Sequence, residues 1–127
     1  MAARHTGAMP EALPFEARET EGRLEIDWAP LFIAAARPTR NGVLLPATAM
    51  AFHRSLALAA GRMVDYGFSM SEKRIVALSG GVFMNRILNA QVTEVLDAMG
   101  ADVRVHRDIP PNDGGIAAGQ VMACATH

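Results

Sequence analysis

Cysteine is all but missing from this sequence: Cys124 is the only one in 127 residues. A single thiol excludes an intramolecular disulfide framework and a Cys-rich zinc site within the chain, and it fits a reducing, cytoplasmic setting. An excess of positive charge is missing too. The 12 Lys and Arg stand against 13 Asp and Glu, a formal net charge of −1, which leaves no global basic field to hold nucleic acid by counterion release. No segment approaches the roughly 18 apolar residues of a membrane helix. The N-terminus carries Arg4 and His5 but no apolar stretch of signal-peptide length. Nucleic acid and membrane are therefore not expected as partners. His5, His53, His106 and His127 are scattered, and no two stand four apart, the spacing that sets two imidazoles on one helical face for a metal. No internal repeat is visible.

What is present is ordinary for a soluble globular protein: 50% hydrophobic residues and 20% charged ones, in a length that suits one domain. Residues 1–22 mix Ala, Gly, Pro, Glu and Arg without a period and read as an irregular N-terminal tail. A single α/β domain is expected over 23–127. Alternation through Leu24, Ile26 and Trp28 predicts a short strand, followed by an apolar helix from about Ala29 to Ala36 that Pro38 closes. Residues 39–46 carry Asn-Gly and a proline and read as a connection. Met50, Phe52, Leu56, Ala59, Met63 and neighbours recur at mostly three- and four-residue intervals, which predicts a long helix from Ala47 to about Tyr66, with Gly61 a mild cost inside it.

The run 75-IVALSGG-81 predicts a β-branched strand with a glycine stop, central and buried on both faces. A helical stripe from Val82 to Met99 follows, with Gly100 at its C-cap. Then come a second strand in 102–108, the turn-rich loop 109-IPPNDGG-115, and a small, apolar terminal helix expected to pack tightly. This is a βαβα unit, whose crossover makes the two strands parallel.

Ligands bind beyond the carboxyl ends of parallel strands. Ser79-Gly80-Gly81 and 110-PPNDGG-115 both fall there, each opening a helix whose first N–H groups favour anions. A nucleotide or phosphate site is the functional reading; a plain strand-to-helix turn is the bland one. The loop fits neither Gly-x-Gly-x-x-Gly nor the P-loop with its lysine, so a divalent metal is needed to neutralise phosphates, with Asp113 its natural ligand. Asp113 also reads as the N-cap of the last helix, while Gly114 and Gly115 argue for close approach of something. Asn85 reads either as a ligand-reading amide or as a polar residue in a helix's first turn. His53 and His106 read as structural, and Cys124 as buried core.

The segments 76-VALSGGVFMNRIL-88 and 109-IPPNDGGIAAGQ-120, with 51-AFHRSLA-57 upstream, resemble the C-terminal end of the HypF carbamoyltransferases, over about residues 14–125. The resemblance implies part of an ASKHA nucleotide-binding lobe, the Kae-like, actin- and Hsp70-like class with an RNase H-like core. Here that part is the βαβα unit with a small, largely parallel sheet and an added long helix. It implies ATP and carbamoyl phosphate as substrates, carbamoyl adenylate (an AMP ester) as intermediate, and the C-terminal thiolate of HypE as acceptor, in the maturation of nickel–iron hydrogenase. Ser79, Gly80 and Gly81 match the loop against the nucleotide phosphates, Asn85 the Asn of that motif, Asp113 an aspartate of the metal site, and Gly114 its glycine neighbour. The family's His-x-x-x-His pair belongs to an earlier portion that this chain lacks. The expectation is one wall of an active site, inactive alone, in a homo-oligomer or docked on the remainder of a HypF-type protein; a non-catalytic oligomeric interaction module is the alternative.

Overall fold

The computed structural model describes residues 10–37, 39–40, 43–44 and 46–125. The chain forms two compact units, Met1–Ala59 and Ala60–His127, a division inside the span read as one domain over 23–127.

In the first unit Glu16–Thr20 (β1) pairs antiparallel with Arg23–Asp27 (β2), from Glu16 opposite Asp27 to Thr20 opposite Arg23. The turn residues Glu21 and Gly22 both have positive φ, 51° and 74°. That pair of conformations is the type I′ turn, whose twist matches the strands it joins. Residues 16–20 are thus a strand, which corrects their reading as irregular tail. The residues just before are tied down as well. The fully buried Ser55 hydroxyl lies 2.8 Å from the Leu13 carbonyl and 2.9 Å from that of Ala51, and the Phe15 ring packs tilted on Trp28 at 6.3 Å.

Ala29–Ala36 (α1) has the bounds expected of it. Asp27 accepts from the Ala29 N–H at 2.9 Å, and Pro30 supplies a preset φ in the first turn, so the helix start needs no further donor partner there. Thr39–Arg40 (β3) and Val43–Leu44 (β4) form a short antiparallel ladder within the stretch read as a connection. Pro46–Ser69 (α2) is the long helix, 24 residues with proline at its start. Its buried positions in this unit include Ala51, Ser55, Ala57 and Ala59, and its Phe52 meets Phe32 of α1 at 6.0 Å.

The second unit is the expected βαβα arrangement: Ile75–Leu78 (β5), Arg86–Ala98 (α3), Asp102–Val105 (β6) and Ile116–Ala125 (α4). β5 and β6 are parallel, with Ile75 opposite Asp102 and Leu78 opposite Val105. The core lies under α3, where Leu88, Val92 and Leu96 are buried at helical spacing together with Leu78 of β5. α3 ends in a Schellman motif. Gly100 at φ 76° sends its N–H to the Asp97 carbonyl at 3.0 Å, and Ala101 sends its own to Leu96 at 3.1 Å.

Two expectations are corrected here. β5 belongs to a two-stranded sheet and its Ile75 is 62% exposed, so it is not a central strand covered on both faces. α4 has no buried residue, with Val121 and Met122 at 68% and 63% exposure, and Cys124 is exposed rather than core. Among the described residues the molecule is a mixed α/β protein with three two-stranded sheets, and no helix is long and apolar enough to cross a membrane.

Gly61 has a packing role that propensity did not reveal. A Cβ placed on it would lie 2.7 Å from Val95 Cγ1 of α3, and a β-branched side chain in a helix has little rotamer freedom with which to yield. Alanine's gain in helix propensity, about 1 kcal/mol, is opposed by overpacking of roughly 1–3 kcal/mol. Gly61→Ala is predicted to lower stability in urea unfolding, and the loss should shrink in the Gly61→Ala/Val95→Ala double variant, a non-additivity that simple helix propensity would not produce.

Candidate functional site

The two glycine-rich loops meet at the carboxyl ends of β5 and β6, as their placement in a parallel unit requires. Three contacts join them. The Gly80 N–H donates to the Pro111 carbonyl at 2.9 Å; Ser79 Oγ lies 3.2 Å from His106 Nε2; and Asn112 Nδ2 lies 3.0 Å from Met84 Sδ. The first is a main-chain bond that fixes the relative height of the loops whatever side chains they carry.

The glycines divide their work. Gly80 sits at φ 99°, ψ 156°, a region that essentially only glycine occupies, and no atom lies near its missing Cβ. Backbone conformation is what requires glycine there. Gly115 is the reverse case. Its Cβ would lie 2.8 Å from the Pro110 carbonyl oxygen and 3.1 Å from Ile109 Cγ2, so the close approach inferred from sequence is made by the loop's own backbone. Gly114 is tight as well, with Asn112 Oδ1 at 3.1 Å from its Cβ position and Pro110 Cγ at 3.3 Å. Gly81 has ordinary room.

The helix after the first loop does not begin at Val82. Gly81–Met84 form a turn of 3-10 helix, and α3 starts only after Asn85. Asn85 is the N-cap: its Oδ1 accepts from Ile87 N at 3.0 Å and Leu88 N at 3.2 Å. Its amide is thereby engaged in holding the start of α3. The 3-10 turn itself leaves the N–H groups of Gly81 and Val82 without an acceptor inside the turn.

Asn112, which sequence reading passed over, caps the second loop. Its Oδ1 accepts from Gly114 N at 3.1 Å and its carbonyl from Gly115 N at 2.9 Å. Asp113 is consequently the first residue of a 3-10 turn, Asp113–Gly115, and not the N-cap of the last helix. Among the described residues no three His, Cys, Asp or Glu side chains gather where they could hold a metal ion. Asp113 alone does not make a metal site.

Beside these loops opens a cavity of about 370 Å³, lined by Ser79, His106, Ile109, Asn112 and Gly115 among others. Of the residues expected to bind a nucleotide or metal, Ser79 lines it; Gly80, Gly81, Asn85, Asp113 and Gly114 do not. His106, read as structural, does. It stands one residue beyond the last paired position of β6, as Ser79 does for β5, a coincidence that the strand register alone would have revealed. His53, by contrast, is structural in the expected way, its Nδ1 lying 2.7 Å from the Ala49 carbonyl one helical turn earlier.

Residues 1–120 match the family described as "Carbamoyltransferase, Kae1-like Domain, second subdomain". This chain belongs to that family. Carbamoyltransferase HypF of Synechocystis sp. is 34% identical over 116 residues, covering 89% of this chain. Carbamoyltransferase HypF2 of Cupriavidus necator is 34% identical over 114 residues, covering 90%. A crystal structure of full-length HypF in the phosphate- and nucleotide-bound form superposes with a TM-score of 0.69 at 25% identity over 91% of this chain. The HypF resemblance carried by the two glycine motifs is therefore correct. The chain spans only 14% and 13% of those two relatives and 15% of the crystallised HypF chain.

The double duty asked of Asn85 can be separated. Asn85→Ala is predicted to destabilise the protein by about 1 kcal/mol through loss of the cap, and Asn85→Asp should restore that stability because aspartate caps equally well. Ligand binding that stays lost in Asn85→Asp would show that the amide also reads the ligand; thermal melts and titration calorimetry on the same samples separate the two.

Proposed function

We propose that this chain supplies one wall of the nucleotide site of a HypF-type carbamoyltransferase. The observation that carries the reading is the Gly80 to Pro111 hydrogen bond. It locks two glycine-rich loops together at the ligand-binding edge of a parallel pair, in a chain that resembles a HypF crystallised with phosphate and nucleotide. On this reading the β5–α3–β6–α4 unit is part of an ASKHA lobe. Ser79 and the open N–H groups of Gly81 and Val82 face the phosphates of ATP or of the carbamoyl adenylate. Gly80 holds the loop in the one conformation that leaves those groups exposed, its own N–H being already committed. Asp113 contributes to a divalent-metal site whose other ligands come from elsewhere in the assembled enzyme. The carbamoyl group passes from the adenylate to a HypE-like C-terminal thiolate in hydrogenase maturation, a cytoplasmic process. This chain binds and orients; the transfer itself needs the remainder of a HypF-type protein.

Titration calorimetry with AMP, and with ATP plus Mg²⁺, tests the reading on the full chain. Saturable binding is expected, weakened about 5- to 10-fold in Ser79→Ala, the equivalent of one hydrogen bond of roughly 1 kcal/mol. Gly80→Ala should weaken it further, since the strained conformation costs alanine about 1–3 kcal/mol. If neither nucleotide binds under any condition, the reading fails.

A second reading, a non-catalytic oligomeric module, is favoured by one observation: Ile116, Val121 and Met122 of α4 are exposed around the helix, apolar surface of the kind that marks interaction sites. It predicts self-association without nucleotide affinity. A monodisperse monomer at micromolar concentration in sedimentation would count against it.

A further inference from the structure

We infer that His106 is a positioning residue for an anion in the cavity beside the glycine loops: by donating Nε2–H to Ser79 Oγ, it turns the Ser79 hydroxyl proton toward the ligand. The inference rests on the nucleotide-wall reading for the ligand's identity, but its geometry is independent of it.

Ser79 and His106 meet because of the strand register. Every paired position of β5 and β6 is offset by 27 residues, Ile75 to Asp102 through Leu78 to Val105, and Ser79 and His106 continue that offset one step past the ladder, 3.2 Å apart. Both side chains are exposed, and both line the cavity of about 370 Å³. A hydrogen bond in so wet a place contributes little to folding, so its consequence lies in which atom carries the proton. With Nε2 bare, the Ser79 hydroxyl donates to it and presents only oxygen lone pairs to the cavity, which repel an anion. With Nε2 protonated, Ser79 Oγ accepts and its own proton is free to donate to the anion. The neutral Nε2–H tautomer achieves this; the imidazolium does so necessarily, because both its nitrogens carry protons, and adds a positive charge. An anion in the cavity therefore favours protonated His106, and by linkage protonation of His106 tightens the anion.

His106 is the only titratable residue among those lining the cavity, which carries no Asp, Glu, Lys or Arg. The charged groups on the surrounding elements are Asp102 and Arg104 on β6, which pair with each other at 2.5 Å, Arg107 and Asp108 in the following loop, Asp113 in the 3-10 turn, and Arg86 at the start of α3. None of them forms an ion pair with His106. The wall has no lysine of the P-loop kind, and protonated His106 supplies a cation that the sequence otherwise lacks at this place.

Sulfate is the suitable probe, because it is tetrahedral and its charge does not change over the interval concerned. Its affinity for the full chain is measured by calorimetry at about pH 6 and about pH 8, on either side of an ordinary imidazole's titration, with AMP in a separate arm. Binding is expected to be about 10-fold tighter at the lower pH. Ser79→Ala should lose most of that ratio. His106→Gln, whose side-chain amide can still donate, should bind sulfate with no pH dependence, and His106→Leu should not bind. Sulfate affinity that is independent of pH, a ratio undiminished in Ser79→Ala, or no sulfate binding at all overturns the inference. AMP binding that persists unchanged in His106→Leu overturns it while sparing the nucleotide wall. Sulfate coupling without AMP binding supports it and removes the nucleotide reading instead.

Discussion

The register of one four-residue parallel ladder sets the whole of the candidate site. Once Leu78 lies opposite Val105, the residues that follow have no freedom to choose their neighbours: Ser79 must face His106, and the two loops must leave the sheet side by side. The main-chain bond from Gly80 to Pro111 then closes the gap between them. A slip of the register would send the side chains of the shifted strand to the opposite face and separate every pair that lines the cavity. What resists such a slip is the anchoring at both ends of the unit. Asn85 caps the start of α3, the Schellman motif with Gly100 ends it, and Asp102 N is bonded to the Arg74 carbonyl at 2.7 Å where β6 begins. The helix between the strands is thus fixed in length, and with it the offset.

Glycine-rich loops are easily read as ligand cradles, and here that reading has to be divided. Of the four glycines, only Gly80 has a backbone conformation that a side chain could not share, and its N–H is already spent on the partner loop. Gly115 is small for the sake of Pro110. The donors that remain for an anion are therefore those after Gly80 rather than on it, together with the Ser79 hydroxyl. The loop's composition and its binding capacity are related indirectly: glycine permits the fold of the loop, and the fold leaves particular neighbours open.

How far the sequence disclosed this depends on how strongly each element is patterned. α1, α2 and the order β5, α3, β6, α4 were legible because their apolar residues recur at helical or strand spacing. The β1–β2 hairpin was not. β1 is Glu-Ala-Arg-Glu-Thr with four of its five residues exposed, so it carries no alternation to detect, and its one signal was Gly22 immediately before the next strand. Both glycine motifs were found, but the side chain that caps the second loop was not. Asn112 took the capping role read for Asp113, and His106 was read as structural because a lone histidine at a strand end carries no pattern. Only pairing the strand ends, Leu78 with Val105, brings His106 to Ser79, and pairing is a three-dimensional fact.

The corrections to β5 and α4 have a common physical origin. A β-branched run such as Ile75–Leu78 and a helix such as Ile116–Ala125, whose composition is apolar on every side, are sequences that ordinarily lie buried. Here Ile75, Val121 and Met122 face solvent, so the sequence is patterned for more burial than these residues achieve among themselves. The chain is about one seventh as long as its HypF relatives, in which the same family is one subdomain among others. Local pattern records how much burial a segment is suited to, and neither element reaches it among the described residues. The mismatch is largest in α4, which follows directly on the loop of Asn112 and Gly115. Its Ile116 and Gly119 also line the cavity that Ser79 and His106 share.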